Sequence, residues 1–170
     1  MLNKYFLQES PSHMTGFRVF ISYHENDKKA AKIVADYFLK CGVDIYFDEY
    51  KPSIGDNLKV SIETIKTGIQ HSSHMLCILS HIALKSHLMP WEIGYGYDTV
   101  QVVGLTIKEM SKSELPEYLQ VVPILRGTKS LNTYIANTIG SDENSLIREQ
   151  KLFSASQINH PLDDILDWQL

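Results

Sequence analysis

A continuous apolar run, Met75-Leu-Cys-Ile-Leu79, lies third in an alternation of strand-like and helix-like segments, and that alternation constrains the fold more than any other feature. A strand with no polar face belongs in a parallel sheet covered by helices on both sides. Before it, Phe17-Arg-Val-Phe-Ile-Ser-Tyr23 is aromatic and β-branched, the mark of a buried first strand. Ala30, Ile33, Val34, Tyr37, Phe38 and Cys41 then recur at the spacing of one helical face, with Asn26 or Asp27 as N-cap and Gly42 at the end. Val43, Ile45 and Phe47 alternate with Asp44, Tyr46 and Asp48 as a second strand. Leu58, Ile62, Ile65 and Ile69 mark a second helix after a loop punctuated by Pro52 and Gly55. Strand, helix, strand, helix, strand predicts a doubly wound parallel α/β sheet.

The later chain continues the rhythm with weaker periodicity. Val100 to Ile107 reads as a fourth strand, Ser113 to Leu119 as a short helix, Val121 to Leu125 as a fifth strand and Leu131 to Ile139 as a helix, with Pro116 and Pro123 as interruptions. The expected division is a lead over residues 1–16, one domain over 17–140 and an extension over 141–170. The extension's Leu146, Ile147, Leu152, Phe153, Ile165, Leu166 and Trp168 suggest packing on the domain or on a partner.

Bulk properties narrow the function. A net charge of -4 without a basic tract offers no footprint for nucleic acid. Cys41 and Cys77 are far apart and sit in apolar periodic segments, as core thiols of a reducing compartment do. No apolar stretch is long enough to span a membrane, so the expected location is cytoplasmic. His71, His74, His81 and His87 match no zinc spacing and are expected mostly at the surface or in loops, so no metal is called for. There is no GxGxxG after the first strand, no GxxxxGK[ST] and no GxSxG elbow. Gly94-Tyr-Gly96 is expected to relieve close helix packing.

In open α/β sheets ligands bind outside the carboxyl ends of the strands. Glu92 follows the third strand through Ser80-His-Ile-Ala-Leu-Lys-Ser86-His-Leu-Met-Pro-Trp-Glu92, and Ser22, Tyr23 and His24 follow the first; all four should face that crevice. If Pro90 opens the helix, Glu92 lies in its first turn, where the macrodipole favours an ionised carboxylate by about 0.3 to 1 kcal/mol. Acids are also common in first turns for that reason alone.

Phe20-Ile-Ser-Tyr23, Asp48 with Gly55 and Asp56, and Ser80 with Ser86 leading to Glu92-Ile93 together resemble a TIR domain over roughly Phe17 to Ile139. The resemblance implies a flavodoxin-like fold with a five-stranded sheet, and within the family it is best to stand-alone bacterial TIR proteins of antiphage defence, such as those of Thoeris systems. Proteins of that kind are NAD+ glycohydrolases or cyclases with an essential glutamate in the pattern Ser, any residue, Trp, three residues, Glu. Ser86 and Glu92 match, while Leu88 stands where the family often has tryptophan.

Carried over residue by residue, the resemblance implies Glu92 as the catalytic residue, with substrate contacts from Ser22, Tyr23, His24, Asp48, Lys51 and Trp91. Trp91 offers a ring nearby, but consecutive helical residues point about 100° apart and it does not simply replace position 88. NAD+ is then a substrate and no cofactor is needed. The loop Glu49 to Asn57 resembles the BB loop that gates the site and mediates assembly. Self-association through TIR contacts and a separate effector that reads a nucleotide product are the implied partners, with no nucleic acid and no membrane. The alternative is a non-enzymatic TIR adaptor, and more remotely an enzyme of the nucleoside deoxyribosyltransferase kind.

Overall fold

A computed structural model describes residues 17–47, 58–108 and 110–170, with the backbone alone at 58–60. Asp48, Lys51 and the loop from Glu49 to Asn57 lie outside the described residues, as does the lead. Strands β1 (Arg18–Ser22), β2 (Asp44–Tyr46), β3 (His74–Leu79), β4 (Gln101–Thr106) and β5 (Ile124–Leu125) pair in parallel in the order β2-β1-β3-β4-β5. They are joined and followed by α1 (Lys28–Lys40), α2 (Leu58–Gln70), α3 (Leu88–Gly96), α4 (Thr128–Ile139) and α5 (Glu143–Arg148). This is the expected flavodoxin-like sheet, and its strand order reverses between β1 and β3. A crevice opens at the carboxyl ends of those two strands, because their connections leave in opposite directions.

Alternation along the strands divides the core. Val19 and Ile21 face the α1 and α4 side with Leu76, Ile78, Val103 and Leu105; Phe20, Met75, Cys77 and Leu79 face Ile65, Ile69, Met89 and Ile93 of α2 and α3. All six residues of β3 are buried, as the unbroken apolar run requires. Gly42, at φ +77°, ends α1 in the left-handed conformation that favours glycine.

The departures from expectation have local causes. The helix expected over Ser113 to Leu119 is two 3-10 turns, Lys112–Glu114 and Glu117–Leu119, because Leu115 precedes Pro116 and is held extended at ψ 132°. The fifth strand shrinks to two residues, preceded by Pro123, which has no N–H to give and contributes its carbonyl to the Gly104 N–H at 2.9 Å. α4 starts at Thr128 rather than Leu131 because backbone carbonyls from the end of the chain receive its first N–H groups: Thr128 donates to Asp167 and Ser130 to Leu170, each at 2.9 Å. Gly127 permits that approach, since a Cβ there would fall on the Asp167 carbonyl oxygen.

The segment after Ser141 packs into the α1 and α4 side of the core. Leu146, Leu152, Leu162, Ile165 and Leu166 are buried there, whereas Trp168 stays exposed. A buried polar network anchors it. The Tyr37 hydroxyl donates to Asn132 Oδ1 at 2.8 Å and meets His160 Nε2 at 3.3 Å, while Asn132 Nδ2 donates to the Phe153 carbonyl at 2.8 Å. His160 Nδ1 accepts the Leu162 N–H at 3.1 Å, so the neutral ring carries its proton on Nε2, toward Tyr37.

Burial lowers the pKa of His160 below the ordinary 6.5, with Asp163 opposing, and burial lowers that of His74 likewise. Both rings fold neutral, so as pH falls through about 6.5 the unfolded chain takes up protons that the folded chain resists. Stability is expected to fall with pH across that window, read as a declining urea midpoint from pH 7.5 to 5.5. A midpoint that rises or stays flat would contradict the neutral packing of these rings.

Candidate functional site

Ser22 is the last residue of β1 and fully buried, and its hydroxyl donates to the carboxylate Oε2 of Glu92 on α3. A buried carboxylate is costly without a donor, so this bond satisfies one oxygen of a side chain that is itself 0% exposed.

Glu92 reaches this place by a route the sequence reading missed. The expectation that Pro90 opens the helix and sets Glu92 in its first turn is incorrect: α3 starts at Leu88, and Glu92 is its fifth residue. The Ser86 hydroxyl accepts the Leu88 N–H at 3.1 Å and so fixes the earlier start. Pro90 is tolerated at the third position because that residue's N–H has no intrahelical acceptor anyway. The macrodipole of the first turn therefore gives Glu92 no special support; the Ser22 hydroxyl does. Asp27 is likewise repurposed. It stands at the N-cap of α1 without a side-chain capping bond, and its Oδ2 instead accepts the Ser80 hydroxyl at 2.5 Å. Ser80 Oγ in turn accepts the Ala83 N–H at 3.0 Å, which ties the chain leaving β3 to the entry of α1.

A cleft of about 200 Å³ opens at this point, lined by Tyr23, His24 and Glu25 after β1 and by Ser86, Leu88, Met89 and Glu92 around the start of α3. His24 Nδ1 accepts the Asn26 N–H at 3.1 Å, which makes Nε2 the donor of the neutral ring. Tyr23 is nearly buried, with its ring stacked on Phe47 at 4.9 Å between centroids. Among the described residues the lining holds two carboxylates, of Glu25 and Glu92, and no lysine or arginine. Such a wall suits an electron-poor or cationic group better than a phosphate.

The structure thus brings Ser22, Tyr23, His24 and Glu92 together. Trp91 it does not: the ring is 37% exposed and stacks on Tyr95 at 5.4 Å, outside the cleft lining. Leu88 and Met89, four and three residues before Glu92, share its helical face and line the cleft. Correct placement of the helix start would have revealed both; no sequence signal marked Glu25. Of the four histidines expected mostly at the surface or in loops, His71, His81 and His87 are exposed, and His74 is buried at the start of β3, at the opposite end of that strand from the cleft. Gly96 does relieve close packing, against Met75, whereas Gly94 faces open space.

The TIR domain sequence pattern matches residues 19–135. The chain belongs to the TIR domain family. Among solved structures, the TIR domain of the Toll-related receptor TRR-2 from Hydra magnipapillata is similar, with a TM-score of 0.51 at 14% identity over 77% of this chain and 95% of that one. That likeness is one of fold. No curated protein matches the chain. Among the described residues of this TIR domain, no helix is long and apolar enough to cross a membrane.

Replacing Ser22 by alanine is expected to lower stability by about 1 to 3 kcal/mol, because the Glu92 carboxylate loses a buried donor. Urea unfolding measures the change, and an unaltered midpoint would show that the bond does not hold the carboxylate.

Proposed function

We propose that this TIR domain cleaves the bond between nicotinamide and ribose in NAD+, with Glu92 as the catalytic residue. The observation that carries the reading is a buried carboxylate that nonetheless lines a cleft at the β1/β3 switch point. In the proposed step the C1′–N bond breaks heterolytically and its electron pair goes to the pyridinium nitrogen. Nicotinamide leaves neutral without an acid, unlike the leaving oxygen of an ordinary glycoside. Positive charge moves to the ribose as an oxocarbenium-like centre, which the fixed Glu92 carboxylate stabilises electrostatically. Water then adds to C1′ and loses a proton, giving ADP-ribose, or a nucleophile within the same molecule closes a cyclic product.

The cleft's composition supports this division of the substrate. Its carboxylates favour the cationic nicotinamide riboside end, and at about 200 Å³ it is smaller than the roughly 300 to 1,000 Å³ of sites that hold a drug-sized ligand whole. The pyrophosphate would then lie beyond it; Asp48 and Lys51 are proposed as substrate contacts on the resemblance alone. His24, through Nε2, is proposed as a donor to the substrate, and Ser22 as the residue that positions Glu92. Trp91, on the outer face of α3, would serve only a substrate portion or a neighbouring subunit that reaches that face.

The resemblance to stand-alone defence TIR proteins extends the reading to a bacterial antiphage setting, with self-association and a separate effector that reads the nucleotide product. The rival reading is a non-enzymatic adaptor. Its support is that the Ser22 hydroxyl already satisfies a Glu92 oxygen, as a purely structural pair would.

Chromatography of nicotinamide and its partner product from NAD+, for wild type and Glu92→Gln at high protein concentration, separates the readings. Glutamine keeps the shape and removes the charge, so a loss of about 100-fold or more is expected, in line with removal of a preorganised stabilising group. Equal rates would remove Glu92 from the reaction, and a wild type that releases nothing would favour the adaptor.

A further inference from the structure

A second cavity, of about 520 Å³, lies beside the edge of the sheet at β5 and shares no residue with the cleft at Glu92. Leu115, Leu119, Val122 and Ile124 give it apolar walls, and Lys112 and Arg126 bring positive charge. Among the described residues no aspartate or glutamate lines it. Arg126 is half-buried, and its Nε is a buried donor with no hydrogen-bond acceptor among the described residues. Arg126 lines the cavity while its Nε is closed off from it, so a ligand there meets the remainder of the side chain. Glu114 is close to Lys112 in sequence but is engaged elsewhere: its carboxylate accepts the Ser111 N–H at 2.7 Å and pairs with His81 at 2.7 Å.

We propose that this cavity is a binding site for a small amphipathic oxyanion, a carboxylate or phosphate attached to an apolar body. The guanidinium donates its terminal N–H groups to a pair of oxygens, Lys112 adds charge, and the apolar body fills the space against Leu115, Leu119, Val122 and Ile124. A neutral molecule of the same shape gains nothing from the charges of Lys112 and Arg126, so the site discriminates by charge.

The test uses benzoate and phenyl phosphate as probes, inorganic phosphate as the head without a body, and benzyl alcohol as the body without a charge. Binding is followed by calorimetry and by the NMR signal of the Arg126 Nε–H. Saturable one-to-one binding of benzoate or phenyl phosphate that moves this signal is expected, at least about tenfold tighter than inorganic phosphate or benzyl alcohol, a margin of about 1.4 kcal/mol. Whichever aromatic anion binds more tightly identifies the preferred head. Arg126→Gln should abolish the binding, Arg126→Lys should weaken it by losing the paired geometry, and Lys112→Gln should weaken it with the fold undisturbed, so the proposal survives any misfolding of one Arg126 variant. No saturable binding, binding unchanged in the folded variants, or equal affinity for benzyl alcohol would overturn it. Concentration-dependent self-association that depends on Arg126, without probe binding, would assign the cavity to a protein partner and overturn it equally.

Discussion

The hydrogen bond from Ser22 to Glu92 joins positions 70 residues apart, the end of β1 and the buried side of α3. It forms only if the two strands that flank the switch point are in register, with Ser22 opposite Cys77, and if the chain leaving β3 turns back over them. Most of the local architecture serves that turn. Ser80 holds Asp27 and the Ala83 N–H, Ser86 fixes the start of α3, and Met89 and Ile93 seat the helix on the sheet. The carboxylate is placed by a packed scaffold, which is the condition for a charge to act without reorganising during a reaction.

The opposite face of the sheet carries the rest of the stability. There α1 and α4 are covered by the segment after Ser141, whose leucines and isoleucines fill the core and whose backbone carbonyls receive the N–H groups of Thr128 and Ser130. Tyr37, Asn132 and His160 fix that cover by hydrogen bonds that burial makes costly to leave unmade. The polar groups of the cleft and those of the cover therefore lie on different sides of the molecule.

The sheet was legible because periodicity reports burial: an unbroken apolar β3 between amphipathic helices admits few alternatives. The position of the crevice followed from a general rule of parallel sheets, whereas the strand order came from the structure. What failed was governed by contacts that sequence spacing does not encode. The start of α3 depends on the Ser86 hydroxyl rather than on Pro90, and the start of α4 on the carbonyls of Asp167 and Leu170. The outward turn of Trp91 was visible in helical geometry, since it neighbours an inward Glu92. Arg126 carried no signal in sequence, because its place on a cavity wall is a property of the fold.

The most direct measurement is a crystal structure with carba-NAD+, in which carbon replaces the ribose ring oxygen so that the bond to nicotinamide survives. The account places the nicotinamide riboside end between His24 and Leu88, with the ribose in hydrogen-bond reach of the Glu92 carboxylate. An analogue that binds elsewhere, with its ribose out of reach of the Glu92 carboxylate, or that does not bind at all at saturating concentration, would contradict it.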